Sequence, residues 1–78
     1  MTTRPVRLQF NQQGAWRNAL DFDASNDTVA SQVMYFAARL CTCTGARARI
    51  VTNDGLQDAL ARWSAGAGWV NAKTGEPL

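Results

Sequence analysis

The stretch Arg4–Asp23, RPVRLQFNQQGAWRNALDFD, decides the fold. In its first half Val6, Leu8 and Phe10 alternate with Arg7 and Gln9, the period of a strand buried on one side. Gln-Gln-Gly at positions 12 to 14 reads as a three-residue hairpin loop, with Gly14 in the left-handed conformation. The returning half carries Trp16, Leu20 and Phe22 at one parity. Pairing Phe10 with Trp16 keeps all of these side chains on one face, and that register requires the loop length that the turn chemistry also requires. The reading is a hairpin over residues 4–23. Asn18 does not fit it. It lands on the inner face opposite Leu8 and needs either a bulge that turns it outward or a buried partner.

Beyond the hairpin, SNDTVASQVMYFAARLCTC predicts a helix over 26–43. Val29, Val33, Phe36, Ala37 and Leu40 recur at helical spacing. Asn26 or Ser25 caps its first turn, Asp27 suits its dipole, Arg39 lies toward the far end, and Gly45 stops it. Thr42 and Thr44 already favour extended geometry. ARARIVT then gives a strand over 46–52, with Ala46, Ala48 and Ile50 toward the helix and Arg47, Arg49 and Val51 outward. Asp54, with Gln57 at the capping-box position, starts a short helix over 55–65. Leu56, Leu60 and Trp63 form its stripe, supported by Ala59, and SAGAG ends it. A tail over 69–78 brings Trp69 to dock on the core or extend the sheet. The expectation is a single α+β domain over 1–78 in the order β-β-α-β-α. Its small, mostly antiparallel three-stranded sheet carries the long helix on one face, and the second helix packs beside that helix or across the sheet edge.

Composition narrows the function classes. The chain has 78 residues, 46% of them hydrophobic, which suits a small globular domain and argues against disorder. A core this small leaves little stability to spare, so a homodimer is an expected remedy. Cys41 and Cys43 are too close in sequence for a sound bridge and read as reduced thiols, as in the cytosol. No charged-then-apolar leader opens the chain, and no apolar run approaches the ~20 residues that span a bilayer. A cytoplasmic protein away from membranes is expected.

The residues that carry chemistry are mostly missing. There is no histidine, which removes the commonest general base and metal ligand. The two cysteines have only Arg39 near them in sequence as an activator. A zinc site needs about four ligands, more than these thiols supply outside a dimer. Asp21 and Asp23 share a strand face but bring too few oxygens for a cation. Neither TGARAR nor SAGAG has phosphate-loop spacing. The expectation is therefore a binding protein with no catalytic residues, no metal and no cofactor.

Two surfaces remain. The net charge is only +2, but seven of the eight basic residues are arginine, the better fork for phosphate and carboxylate. In the register above, Arg7, Arg17, Arg47 and Arg49 point away from the long helix, with Asp21 among them. Such a face takes an RNA or DNA backbone, or an acidic patch of a protein. It can also be an ordinary solvated face whose arginine stems cover the backbone. The same register puts Phe10, Trp16 and Phe22 on the other side. The face then lacks the stacking aromatics that single-stranded nucleic acid favours. The second surface is Met34 and Tyr35, which lie off the helix's core stripe and extend its apolar side.

In scale and layout, a compact RLQFNQQGAWRNALDF hairpin followed by a helix and a strand is similar to several anti-CRISPR proteins, small phage-encoded inhibitors. The resemblance lies in general build and transfers no site residues. It implies a binding protein that blocks a host protein or nucleoprotein complex, such as a CRISPR effector, by occupying its surfaces. The mild basic charge separates this chain from acidic mimics of DNA. The alternative is a small dimeric nucleic-acid-binding or transcription-modulating protein that uses the basic sheet face.

Overall fold

The computed structural model describes residues 3–78. The order is β1 (Pro5–Gln12), β2 (Ala15–Asp23), α1 (Asp27–Thr44), β3 (Arg47–Thr52), β4 (Ala59–Ser64) and β5 (Gly68–Asn71). The strands form one antiparallel sheet in the order β2-β1-β3-β4-β5, with α1 across one face. The expected three-stranded sheet with two helices is thus corrected to five strands and one helix. The α+β class, the β1–β2 hairpin and the long helix on one face stand.

The helix follows its sequence signals closely. Asn26 is the N-cap, its side chain accepting the Val29 N–H, and Gly45 closes the C-terminus at φ 76°, where a side chain would strain the backbone. Thr42 and Thr44 are helical rather than extended. Their hydroxyls donate back to the carbonyls of Ala38 and Leu40 at 2.9 Å, which satisfies them inside the last turn.

The region read as a second helix is a loop and a strand. Asp54 does not cap a helix. Its Oδ1 accepts the Thr52 hydroxyl and the Leu56 N–H at 2.9 Å and the Gln57 N–H at 3.1 Å, while Thr52 Oγ1 accepts the Asp58 N–H. Gln57 adopts φ 48°, and the chain turns back along β3. Strand pairing fills the open edge of β3, which a helix would have left with unpaired backbone groups. Ala61 and Trp63 face inward while Arg62 and Ser64 face outward, a period of two. The Leu56 of the expected helical stripe stays exposed. SAGAG then turns the chain into β5. The tail runs along the outer edge of β5, where the Asn71 N–H meets the Glu76 carbonyl at 2.8 Å and Val70 bridges to Pro77.

The core lies between the sheet and α1. Val6, Leu8, Ala48, Ile50 and Ala61 from the sheet meet Ala37 and Cys41 from the helix. Burying an aliphatic side chain such as Ile50 contributes about 1.5–3 kcal/mol. Because the sheet extends to β5, the helix has more to cover than a three-stranded sheet would offer. Trp63 and Trp69 pair across β4 and β5 on the helix side, and the Trp69 indole N–H donates to the Met34 carbonyl at 2.9 Å. Ala37 and Cys41 therefore face the core with Met34 packed beside them. Phe36, expected inside, is 61% exposed.

The Asp54 turn gives a pH test. Its carboxyl is held below the usual range, first by the Thr52 hydroxyl and then by the Leu56 and Gln57 N–H groups. A lowered folded-state value means that the stability it lends is complete above the unfolded value near ~3.9 and is lost as pH falls through the folded value. The difference in stability between wild type and Asp54→Asn should therefore shrink as pH falls from about 5 to about 2. Urea unfolding across that range checks it, and a constant difference would remove the turn's electrostatic role.

Candidate functional site

The side of the sheet away from α1 carries the candidate site, and the register of β2 determines what stands there. The β1–β2 turn has two residues, Gln13 at φ 58° and Gly14 at φ 85°, rather than three. Positive φ at both positions matches the twist of the flanking strands. Gln12 consequently pairs with Ala15, Asn11 with Trp16 and Phe10 with Arg17. Ala19 then has no partner, a bulge that returns Leu20 opposite Leu8 and Phe22 opposite Val6. Trp16 and Asn18 are therefore on the open face, and Arg17 is on the helix side. The bulge and the partner that Asn18 needed are both present, because Asn18 pairs with Gln9.

Gln9 organises this face. It is a polar residue only 3% exposed, in the middle of the sheet. Its Nε2 donates to Asn18 Oδ1 at 2.7 Å and to Gln57 Oε1 at 3.4 Å. Its Oε1 accepts Nε of Arg49 at 2.8 Å. That bond fixes the Arg49 side chain, whose guanidinium lies 4.1 Å from the centre of the Trp16 ring, a cation–π contact.

The arginines divide into two kinds. Arg7 donates to Asp21 at 2.7 Å and to Asn53 Oδ1 at 2.9 Å, and its hydrogen bond holds the Asp21 carboxyl below the usual range. This is the only ion pair among the described residues. Among the described residues Arg47, Arg49 and Arg62 have no carboxylate partner. Arg62 stands directly opposite Arg49 on the neighbouring strand, and Arg47 is two residues along on the same face. Like charges in direct cross-strand register repel, and an anion between them removes the repulsion. Trp16, Arg47, Arg49 and Arg62 border a concavity of about 580 Å³ floored in part by Ala59 and Val70.

Of the expected site residues, Arg47 and Arg49 come together in this concavity. Arg7 shares the face but is neutralised, and Arg17 is excluded by the shifted register. Met34 is half-buried against the core, and Tyr35 is exposed on α1, a layer away from the arginines. Two site residues were missed, Trp16 and Arg62. The alternation of Ala61, Arg62, Trp63 and Ser64 is the signal that finds Arg62. The misplaced Asn18 is the signal that finds Trp16.

Little else on the molecule offers chemistry. Cys41 and Cys43 are both free thiols; Cys41 is buried, and burial pushes its thiol up, away from reactivity. Among the described residues no cluster of three or more potential ligands is placed to hold a metal ion, and no helix is long and apolar enough to cross a membrane. No protein-family model, curated protein or solved structure matches the chain.

Replacing Gln9 by Met keeps the bulk and strands its partners. Arg49 loses the bond that aims it and Asn18 loses its donor, so stability should fall by about 1–3 kcal/mol. Equilibrium urea unfolding measures the loss. An unchanged midpoint would show that the network does not hold the face together.

Proposed function

We propose that this is a non-enzymatic binding protein whose open sheet face takes the phosphate backbone of a nucleic acid. One observation supports the reading above the others: Arg47, Arg49 and Arg62 border one concavity and, among the described residues, no carboxylate pairs with them. Guanidinium groups suit phosphate because their donors form a planar fork. The low net charge of +2 is compatible, since what matters is the local concentration of charge. Trp16 beside these arginines supplies the aromatic that such a face needs.

A second reading draws on the opposite layer. Tyr35 is 68% and Phe36 61% exposed on α1, a surface chemistry suited to protein. A nucleoprotein complex would offer an acidic backbone to the arginines and an apolar surface to the helix. In that reading the chain is an inhibitor of phage or mobile-element origin, of the anti-CRISPR type, that blocks a cytoplasmic host complex. Its distinguishing outcome is a defined protein partner that stays bound to the tagged chain after nuclease treatment.

The salt dependence of binding to a labelled oligonucleotide, followed by fluorescence anisotropy, tests the main reading. Each phosphate contact on a single strand contributes a slope of about −0.7, so three arginines predict about −2 in a plot of log affinity against log salt. Replacing Arg47 and Arg49 by Ala should weaken binding at least about tenfold and bring the slope to about −0.7. The double substitution Arg7→Ala/Asp21→Ala removes a pair that is already neutral and should leave the slope unchanged. Absence of binding at low salt would end the proposal.

A further inference from the structure

The arginines say only that a polyanion fits, and Trp16 allows more. Its ring stands on the open face, 36% exposed, beside the guanidinium of Arg49. Gln9 grips Arg49 through Nε, at the root of the guanidinium, and no hydrogen bond from the described residues engages its two terminal nitrogens. Arg49 is thus held near the ring by one bond while its outer donors remain available. Trp16 sits on β2, Arg49 two strands away on β3 and Arg62 on β4. At the usual strand spacing the aromatic and the far arginine are separated by roughly 14 Å. A flexible chain that alternates a planar ring with a phosphate can engage both ends of that span.

We infer that the ligand is single-stranded, and that Trp16 is a stacking platform for one of its bases, with Arg49 covering the ring until the base arrives. This rests on the nucleic-acid reading above and names the class of nucleic acid. A duplex keeps its base faces stacked inside and presents only backbone and groove edges, so it has no ring to offer Trp16. A single strand offers the face of every base. An exposed cation–π contact is weaker than the stacking of a base on an aromatic side chain, so a base displaces Arg49 from the ring. The displaced guanidinium then turns its outer nitrogens toward the adjoining phosphate, beside Arg47 and Arg62. In the free protein the Arg49–Trp16 contact shields the ring, and in the complex both partners contact the ligand.

The test uses the full chain with four probes of matched charge: an oligodeoxythymidylate of about eight nucleotides, the same backbone without bases, a short duplex and polyglutamate. The oligodeoxythymidylate should bind best, at least about tenfold more tightly than the abasic strand, and should quench tryptophan fluorescence. Trp16→Leu should weaken its binding about tenfold and abolish the extra quenching, while the salt slope stays as in wild type. Trp16→Phe keeps an aromatic face on the same strand and should retain most of the affinity. It thereby separates stacking from damage to the fold. If the abasic strand or the duplex binds as tightly as the oligodeoxythymidylate and Trp16→Leu changes nothing, while Arg47→Ala still weakens binding, the stacking inference fails and backbone binding stands. If polyglutamate binds best, the ligand is an acidic protein segment and the inference is overturned. If none of the probes binds, the nucleic-acid reading fails with it.

Discussion

The unpaired Ala19 in β2 determines what each face of the sheet contains. A strand alternates its side chains, so one extra residue exchanges the two faces for everything beyond it. On the Asp23 side of the bulge, Leu20 and Phe22 point to the α1 side, where Phe22 packs against the core that holds Val6 and Leu8 while Leu20 stays 47% exposed. On the turn side, Asn18 and Trp16 face away from α1. Without the bulge, the tight two-residue turn would send Leu20 and Phe22 to the open side. The buried amide of Gln9 depends on the same event, because Asn18 reaches it only from the open face. The bulge also disrupts the outer edge of β2, where Arg17 and Asp21 lie, and charge and irregularity together discourage pairing with other chains.

Charge placement follows from where the acids are used. Four of the six are engaged in local structure. Asp21 pairs with Arg7, Asp23 accepts the N–H groups of Arg4 and Ser25, Asp27 stands in the first turn of α1, and Asp54 closes the loop before β4. The arginines of β3 and β4 are left beside one another. Nothing in the fold of a small domain requires Arg49 and Arg62 to stand in register, and their repulsion works against the strand pairing that joins them. That repulsion stands in a fold whose buried side-chain polar atoms, among the described residues, all have partners, and the proposed anion would relieve it.

Much of the fold is legible in the sequence where local signals act alone. The strand alternation around Val6 and Leu8, the Asn26 cap and the Gly45 stop each carry their own stereochemistry. They place β1 and α1 within a residue of their observed bounds. The Asp54–Trp63 segment is different, because Asp54 and Gln57 satisfy a capping-box pattern that serves equally well as a side-chain-closed turn. The open edge of β3, a tertiary feature, decides between them. The site was half legible. Arg47 and Arg49 follow from strand parity, whereas Trp16 depends on a turn one residue shorter than the Gln12-Gln13-Gly14 loop read from the sequence, since Gln13 is an uncommon residue at positive φ. The polar Asn18 in an apolar register was the local conflict that marked the error, and it lies on the face that carries the candidate site.

Nuclear Overhauser contacts of the Trp16 ring, measured on the free protein, test the placement of Trp16 against Arg49 most directly. The account predicts contacts from the ring to the side-chain methylenes of Arg49, with those methylene protons shifted upfield by the indole. Contacts from the ring to Phe10 and Leu40 instead would put Trp16 on the helix side. That result would remove the bulge and the aromatic from the open face, and with them the basis for the site.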